Sequence, residues 1–293
     1  MSLNDYPLWT AVITPMNEDG SVNYTDLTNI LKAQDEAENG ILILGSTGEA
    51  LNLDEDEKRK ILEHTIAQDL KAPIMVGVGG SNLTDTRNWI KYLEELKVQA
   101  YLLVTPLYAK PGTIGQYEWF KDLMDLSTRP CMLYNVPSRT GIKMSFKAVE
   151  MLKDHKNLWG IKEASGSTED FAKYVAAAPS ARVYSGDDAL MPEFSAIGAK
   201  GLVSVASNVW AKQTHRYVEK CLDSSLEEKA LWAESTNNLF LASNPIPVKA
   251  LMVHDKQISS VVLRAPLTHK DLEDISELVS SHAKINEWYQ SNK

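Results

Sequence analysis

Lys162 ends a short apolar run at 158–162, and its type and place carry more chemistry than any other residue of the chain. Side chains alternate along a strand, so Leu158, Gly160 and Lys162 share one face and Trp159 and Ile161 the other. The bulky face is expected to meet helices. That turns Lys162 inward above the space left by Gly160, where a charge is costly to desolvate. An amine whose protonation is disfavoured by burial or by nearby cations attacks carbonyl carbon, so Schiff-base formation is the natural chemistry. A snorkelling ammonium or an ion pair would use the same position, and the strand alone does not choose between them. Tyr134 ends another apolar run and can relay a proton if a second donor or acceptor is in reach, or simply pack with its hydroxyl satisfied. Arg139, in the loop that follows, offers a planar fork for a carboxylate and serves a surface ion pair equally well. Ser46 and Thr47, in GSTG at 45–48, add two hydroxyls and backbone N–H groups that could face an anion as a nest does. Asp187 and Asp188 could bind a metal, but capping the following helix is the simpler role.

Other chemistries find little support. GSTG lacks the spacing of a nucleotide-binding loop, and the segment Gly77-Val78-Gly79-Gly80-Ser81-Asn82 has asparagine where the third glycine of a dinucleotide motif belongs. The six histidines include no i,i+4 pair, which leaves a histidine metal centre without a basis. Cys131 and Cys221 are the only cysteines, too few for a disulfide framework or a cysteine metal cluster, as expected in a reducing cytoplasm. With 30 basic and 39 acidic residues the formal charge is −9, so there is no basic stripe for nucleic acid. The amino end has no basic and apolar leader pattern, and no run approaches the length of a membrane span; secretion and membrane insertion are both disfavoured.

The elements that must position these side chains follow from periodicity. Apolar runs occur at 8–13, 41–44, 73–78, 100–104, 131–134, 158–162, 182–185 and 201–205, with amphipathic segments such as 24–38 and 83–96 between them. Asp54 and Glu57 form a capping-box pattern, and the surrounding DEDEKRK reads as a solvated helix start. Strands alternating with helices predict parallel pairing, and eight such units predict a closed (β/α)₈ TIM barrel of the α/β class. An open doubly wound sheet is the alternative. Past residue 205 only helices follow, at about 210–222, 226–241, 247–253 and 270–289, so the expected division is a barrel at 1–224 and a C-terminal helical domain at 225–293. The strand ends, where barrel catalysis resides, are polar: GSTGE, TPLY, YNVPSRTG, IKEASG and SGDDA.

Together with GLVSVASN, NPIPVKALM and LRAPLT, these segments resemble the dihydrodipicolinate synthase family of pyruvate-dependent lyases, in order from about Trp9 to Leu267. The resemblance implies that Lys162 condenses with pyruvate and that the resulting enamine attacks aspartate 4-semialdehyde, giving 4-hydroxy-tetrahydrodipicolinate on the route to diaminopimelate and lysine. It also implies a reaction without metal or other cofactor. Tyr134 matches the proton-transfer tyrosine. Ser46 and Tyr108 match the hydroxyls that relay protons to it, Tyr108 reaching in from a neighbouring subunit of a homotetramer built as a dimer of dimers. Thr47, the backbone of Val203, Arg139 and Gly186 match substrate-binding positions, with Thr47 and Val203 at the pyruvate carboxylate and Arg139 at that of the aldehyde.

The chain departs from the family pattern at two places: Ser46 stands where many members have threonine, and Leu107 where many have a second tyrosine. Feedback-sensitive relatives hold lysine at a subunit contact whose positions here look like Leu107, Glu55, Lys58 and Thr86, with Asn82 retained. The rival within the class is a pyruvate aldolase of a sugar acid, of the N-acetylneuraminate lyase or 2-keto-3-deoxy sugar acid aldolase type, against which Arg139 counts. A catalytically idle keto-acid sensor is the rival outside it, and would not need Lys162, Tyr134, Ser46 and Tyr108 together.

Overall fold

The computed structural model describes residues 2–293. Eight strands close into a parallel barrel in sequence order: β1 (Leu8–Ala11), β2 (Gly40–Ile43), β3 (Ile74–Val78), β4 (Ala100–Val104), β5 (Cys131–Asn135), β6 (Leu158–Glu163), β7 (Arg182–Ser185) and β8 (Leu202–Ser204). The predicted (β/α)₈ barrel is therefore the fold, and the eight apolar runs are its strands, with ends displaced by one or two residues. Each carboxyl-terminal strand end looks toward the barrel face where this fold carries its chemistry.

The chain forms two compact units, Met1–Pro73 with Ser204–Lys293, and Ile74–Val203. In the first, Trp9 Cα pairs with Gly40, and a Cβ on Gly40 would lie 2.5 Å from the Trp9 ring, so only glycine admits that indole. Asn208 fastens the end of β1, donating to the Ala11 carbonyl and accepting from Ile13 N–H. The helices Ala211–Leu222, Lys229–Asn238 and Ser276–Ser291 meet through Trp232, which stacks on Tyr217 at 4.1 Å and meets Trp288 edge-on at 5.0 Å. Aromatic faces of this size supply most of the apolar burial that holds such helices together. The last helix starts at Ser276 rather than 270: Thr268 caps a separate turn, His269–Asp271, and Asp274 accepts the Ser276 N–H where the helix begins.

In the second unit the ladder β3 to β7 is continuous, and one irregularity bears on the site. Cys131 pairs with Leu158 but Met132 pairs with Gly160, so Trp159 is an extra residue that the strand alternation does not count. Leu158 is therefore out of the predicted alternation with Lys162, whereas Gly160 and Lys162 stay on one face as expected. Gly160 lies where a Cβ would come within 2.9 Å of the Arg182 carbonyl.

Candidate active site

Strands β5 and β6 place Tyr134 opposite Lys162 and Asn135 opposite Glu163. Both members of the first pair are buried, Lys162 to 4% exposure and Tyr134 to 6%. The Lys162 Nζ stands 4.5 Å from the centroid of the Tyr134 ring, over its negative face. Thr105, just past β4, fixes the Tyr134 backbone by donating from both N–H and hydroxyl to its carbonyl, at 3.1 and 2.9 Å.

The next position of each strand points the other way and is tied separately. Glu163 accepts from Asn135 Nδ2 at 2.7 Å and from Ser165 N–H at 2.8 Å, while Asn135 Oδ1 accepts from Met144 N–H at 2.7 Å. Burial pushes the Glu163 carboxyl above its ordinary range against the pull of those donors. Past β7, Gly186 N–H donates to the Glu163 carbonyl at 2.7 Å, and a Cβ at Gly186 would lie 2.8 Å from Lys162 Cε. The lysine stem thus occupies the space that a side chain at 186 would need.

Other predicted residues of this unit are placed less centrally. Arg139 lies exposed on the short helix Pro137–Thr140. Tyr108 is 93% exposed with a backbone φ of +63°, a left-handed conformation uncommon outside glycine. Val203 is fully buried in β8. Asp187 does not cap the helix Met191–Ala196, whose N-cap is Leu190; its Oδ1 instead accepts from Ala189 and Leu190 N–H and closes the turn ahead of it. Burial raises the Asp187 carboxyl as well.

In the first unit, residues 45–49 follow β2 directly. Ser46 is half-buried and Thr47 buried, and Thr47 Oγ1 accepts from Asn244 Nδ2 at 2.9 Å. Thr14 Oγ1 donates to the Gly48 carbonyl at 2.7 Å, and a Cβ at Gly48 would meet the Val12 carbonyl at 3.0 Å. Glu49 and Lys249 form an ion pair at 2.6 Å with both side chains wholly buried. Burial pushes the Lys249 amine below its ordinary range while Glu49 draws it back. Arg264 donates its backbone N–H to Glu49 and forks its guanidinium onto Glu57. Glu57 is thus not simply part of a solvated helix start, although the Asp54–Glu57 capping box is present. Sequence reasoning gave Glu49, Asn244, Lys249 and Arg264 no role. The available signal was a lysine and an asparagine in the otherwise apolar NPIPVKALM.

A closed parallel (β/α)₈ barrel with a buried lysine beside a tyrosine at adjacent strand ends defines the class of protein. The dihydrodipicolinate synthetase family model matches residues 6–284, and the chain belongs to that family. It is 47% identical over 284 residues to the 4-hydroxy-tetrahydrodipicolinate synthase of Francisella tularensis subsp. novicida, covering 96% of each chain. Among solved structures it resembles the lysine-bound enzyme of Cyanidioschyzon merolae, at TM-score 0.91 and 27% identity over 97% of this chain and 99% of the other. It also resembles a monomeric dihydrodipicolinate synthase variant, at TM-score 0.89 and 29% identity over 96% and 97%.

Proposed function

We propose that the protein condenses pyruvate with L-aspartate 4-semialdehyde to give 4-hydroxy-tetrahydrodipicolinate. The observation that carries this reading is the buried Lys162 Nζ over the Tyr134 ring, within a chain that belongs to the family throughout. The neutral amine attacks the ketone carbon of pyruvate, and loss of water leaves an imine. Protonated imine nitrogen accepts electron density, so the methyl group loses a proton and becomes the enamine carbon that attacks the aldehyde. The amine of the second substrate then attacks the imine carbon, closes the ring and displaces Lys162.

Tyr134 transfers the protons, with Ser46 and Tyr108 relaying them. Thr47 and the Val203 backbone hold the pyruvate carboxylate, Arg139 that of the aldehyde, and Gly186 borders the bound substrate. The curated relative's name supports this substrate pair over a sugar-acid aldehyde. Residues 1–224 carry the site and residues 225–293 are the C-terminal helical domain.

The exposure of Tyr108 accords with its reaching into a neighbouring subunit, and the family resemblance implies that the assembly is a homotetramer arranged as a dimer of dimers. A cytoplasmic location accords with the two buried free thiols, Cys131 and Cys221. Among the described residues no helix is long and apolar enough to cross a membrane.

Borohydride reduction in the presence of pyruvate tests the reading. A pyruvyl adduct is expected on the peptide containing Lys162, and Lys162→Arg is expected to abolish it together with turnover. An adduct on another lysine, or active enzyme without one, would overturn the assignment.

A further inference from the structure

The segment 45–49 supplies one proposed proton-relay hydroxyl, Ser46, and one proposed substrate-contacting hydroxyl, Thr47, yet nothing in its own sequence makes it rigid. It is bracketed by Leu44 at φ +56° and Glu49 at φ +55°, two side-chain-bearing residues in left-handed backbone. Such conformations persist only where the surroundings over-determine them. Here the surroundings come from a segment some 200 residues further along the chain.

Glu49 is held through both carboxylate oxygens. Oε1 takes the Lys249 ammonium at 2.6 Å and Oε2 the Arg264 N–H at 2.8 Å. Lys249 in turn donates to the Val262 carbonyl at 2.9 Å, so its wholly buried amine is shared between two fixed acceptors. Arg264 is anchored a second time, by Nε on the Gly20 carbonyl at 2.7 Å and by its fork on Glu57. A lone buried carboxylate is strongly unfavourable, so Glu49 is committed to this partner and to the left-handed turn that reaches it. Two residues back, Asn244 Nδ2 fills an acceptor position of Thr47 Oγ1 at 2.9 Å. A hydroxyl that accepts from a fixed amide keeps its own proton to donate, and donates it in a set direction.

From this geometry we infer that Lys249 and Asn244 are positioning residues for pyruvate: Lys249, through Glu49, locks the loop after β2, and Asn244 aims the Thr47 hydroxyl at the substrate carboxylate. The inference rests on the proposed function, which makes Thr47 a carboxylate contact. Neither residue touches a reacting atom. Their loss therefore weakens pyruvate capture far more than the chemical steps that follow it.

Three variants test this: Lys249→Met, the compensated double variant Glu49→Gln/Lys249→Met, and Asn244→Ala, with melting temperature, pyruvate KM and kcat measured for each. Lys249→Met leaves Glu49 buried without a counter-ion and should melt well below the wild type. The double variant removes both charges and should recover most of that loss. A purely structural pair would recover KM as well, whereas a positioning pair leaves pyruvate KM raised by about tenfold or more with kcat within about threefold. Asn244→Ala, which changes no charge, should raise pyruvate KM in the same sense.

The pyruvate concentration that half-labels Lys162 under borohydride should rise in parallel with KM in both. A double variant that melts normally with KM within twofold of wild type overturns the role of Lys249. Unchanged KM in Asn244→Ala overturns the aiming of Thr47 however the double variant folds. If the double variant does not fold, Lys249 is structural and its positioning role falls. If wild-type Lys162 is never labelled, the proposed function fails and this inference goes with it; normal labelling of wild type and variants alike removes the inference alone.

Discussion

Gly186 matches a substrate contact by resemblance, and the geometry gives it a further task. A methyl group there would lie 2.7 Å from Ala164 Cβ and 2.8 Å from Lys162 Cε, well inside ordinary contact. The Ala164 contact is relieved only by a backbone shift, and the Lys162 contact by a shift of the lysine stem, which carries Nζ with it. Gly186→Ala is expected to fold, with an overpacking cost of about 1–3 kcal/mol, and to label with pyruvate and borohydride at least about tenfold more slowly, since small misplacements of a nucleophile are costly. Labelling at the wild-type rate, read by mass spectrometry, would show that the stem has room to spare. Tyr134→Phe separates ring from hydroxyl at the neighbouring position. The ring beneath Lys162 Nζ is kept, so the variant should fold and still bind pyruvate in part. Its kcat should fall about 10²–10⁴-fold, the usual share of a general acid–base group. A kcat within twofold of wild type would make the phenol a packing group. The strand-end placement of Lys162 and Tyr134 was legible in the sequence because a strand end is a short, regular address; the space that Gly186 leaves for Lys162 was not, since it depends on which strand lies alongside.

At the scale of the elements, β5 and β6 are bolted together by Glu163 and Asn135, one position beyond the Tyr134–Lys162 pair. Burial raises the folded-state pKa of Glu163 above its ordinary value of 4.5, with Asp170 adding in the same direction. For such a carboxyl, stability is fully present below the unfolded pKa and is lost as pH rises through the folded one, where the buried group must ionise. The loss is about 1.4 kcal/mol for each pH unit separating the two values. Glu163→Gln cannot ionise. In denaturant titrations the stability of the wild type relative to Glu163→Gln should therefore fall as pH is raised from about 4.5, the unfolded-state value. A difference that is flat or grows with pH would contradict the sign. All eight strands were readable from their apolar runs, because parallel strands covered on both faces need little alternation to be seen. The bulge at Trp159 was not readable, since one extra residue exists only relative to the register of β5. Nor was the Glu49–Lys249 pair, whose partners meet across 200 residues of sequence and share no periodicity.

At the scale of the whole molecule the open matter is regulation, and the departures from the family pattern decide its direction. A bound free lysine carries an α-ammonium and a carboxylate, and each must find partners to offset its desolvation. Of the corresponding positions, Leu107 has no polar side-chain atom, and the Thr86 hydroxyl already donates to the Asn82 carbonyl at 2.8 Å. Asn82 is itself occupied, its Oδ1 accepting from Thr84 and Asp85 N–H as the cap of the helix Leu83–Glu94. Glu55 is paired with Arg59 on its own helix, and Lys58 adds a cation that repels an ammonium ligand. Each missing bond to a charged ligand costs about 1–3 kcal/mol. At about 1.4 kcal/mol per tenfold, two such losses weaken binding by roughly one to four orders of magnitude. Although a structural relative, from Cyanidioschyzon merolae, is known with lysine bound, this protein should therefore be inhibited by free lysine weakly or not at all. Titrating lysine into the assay at saturating pyruvate measures this directly. Half-inhibition below about 1 mM, equivalent to roughly 4 kcal/mol of binding, would mean that other groups of the chain hold the ligand. Replacing Leu107 with tyrosine and Thr86 with glutamate should then leave the response unchanged, whereas on the present argument the same double replacement increases sensitivity to lysine.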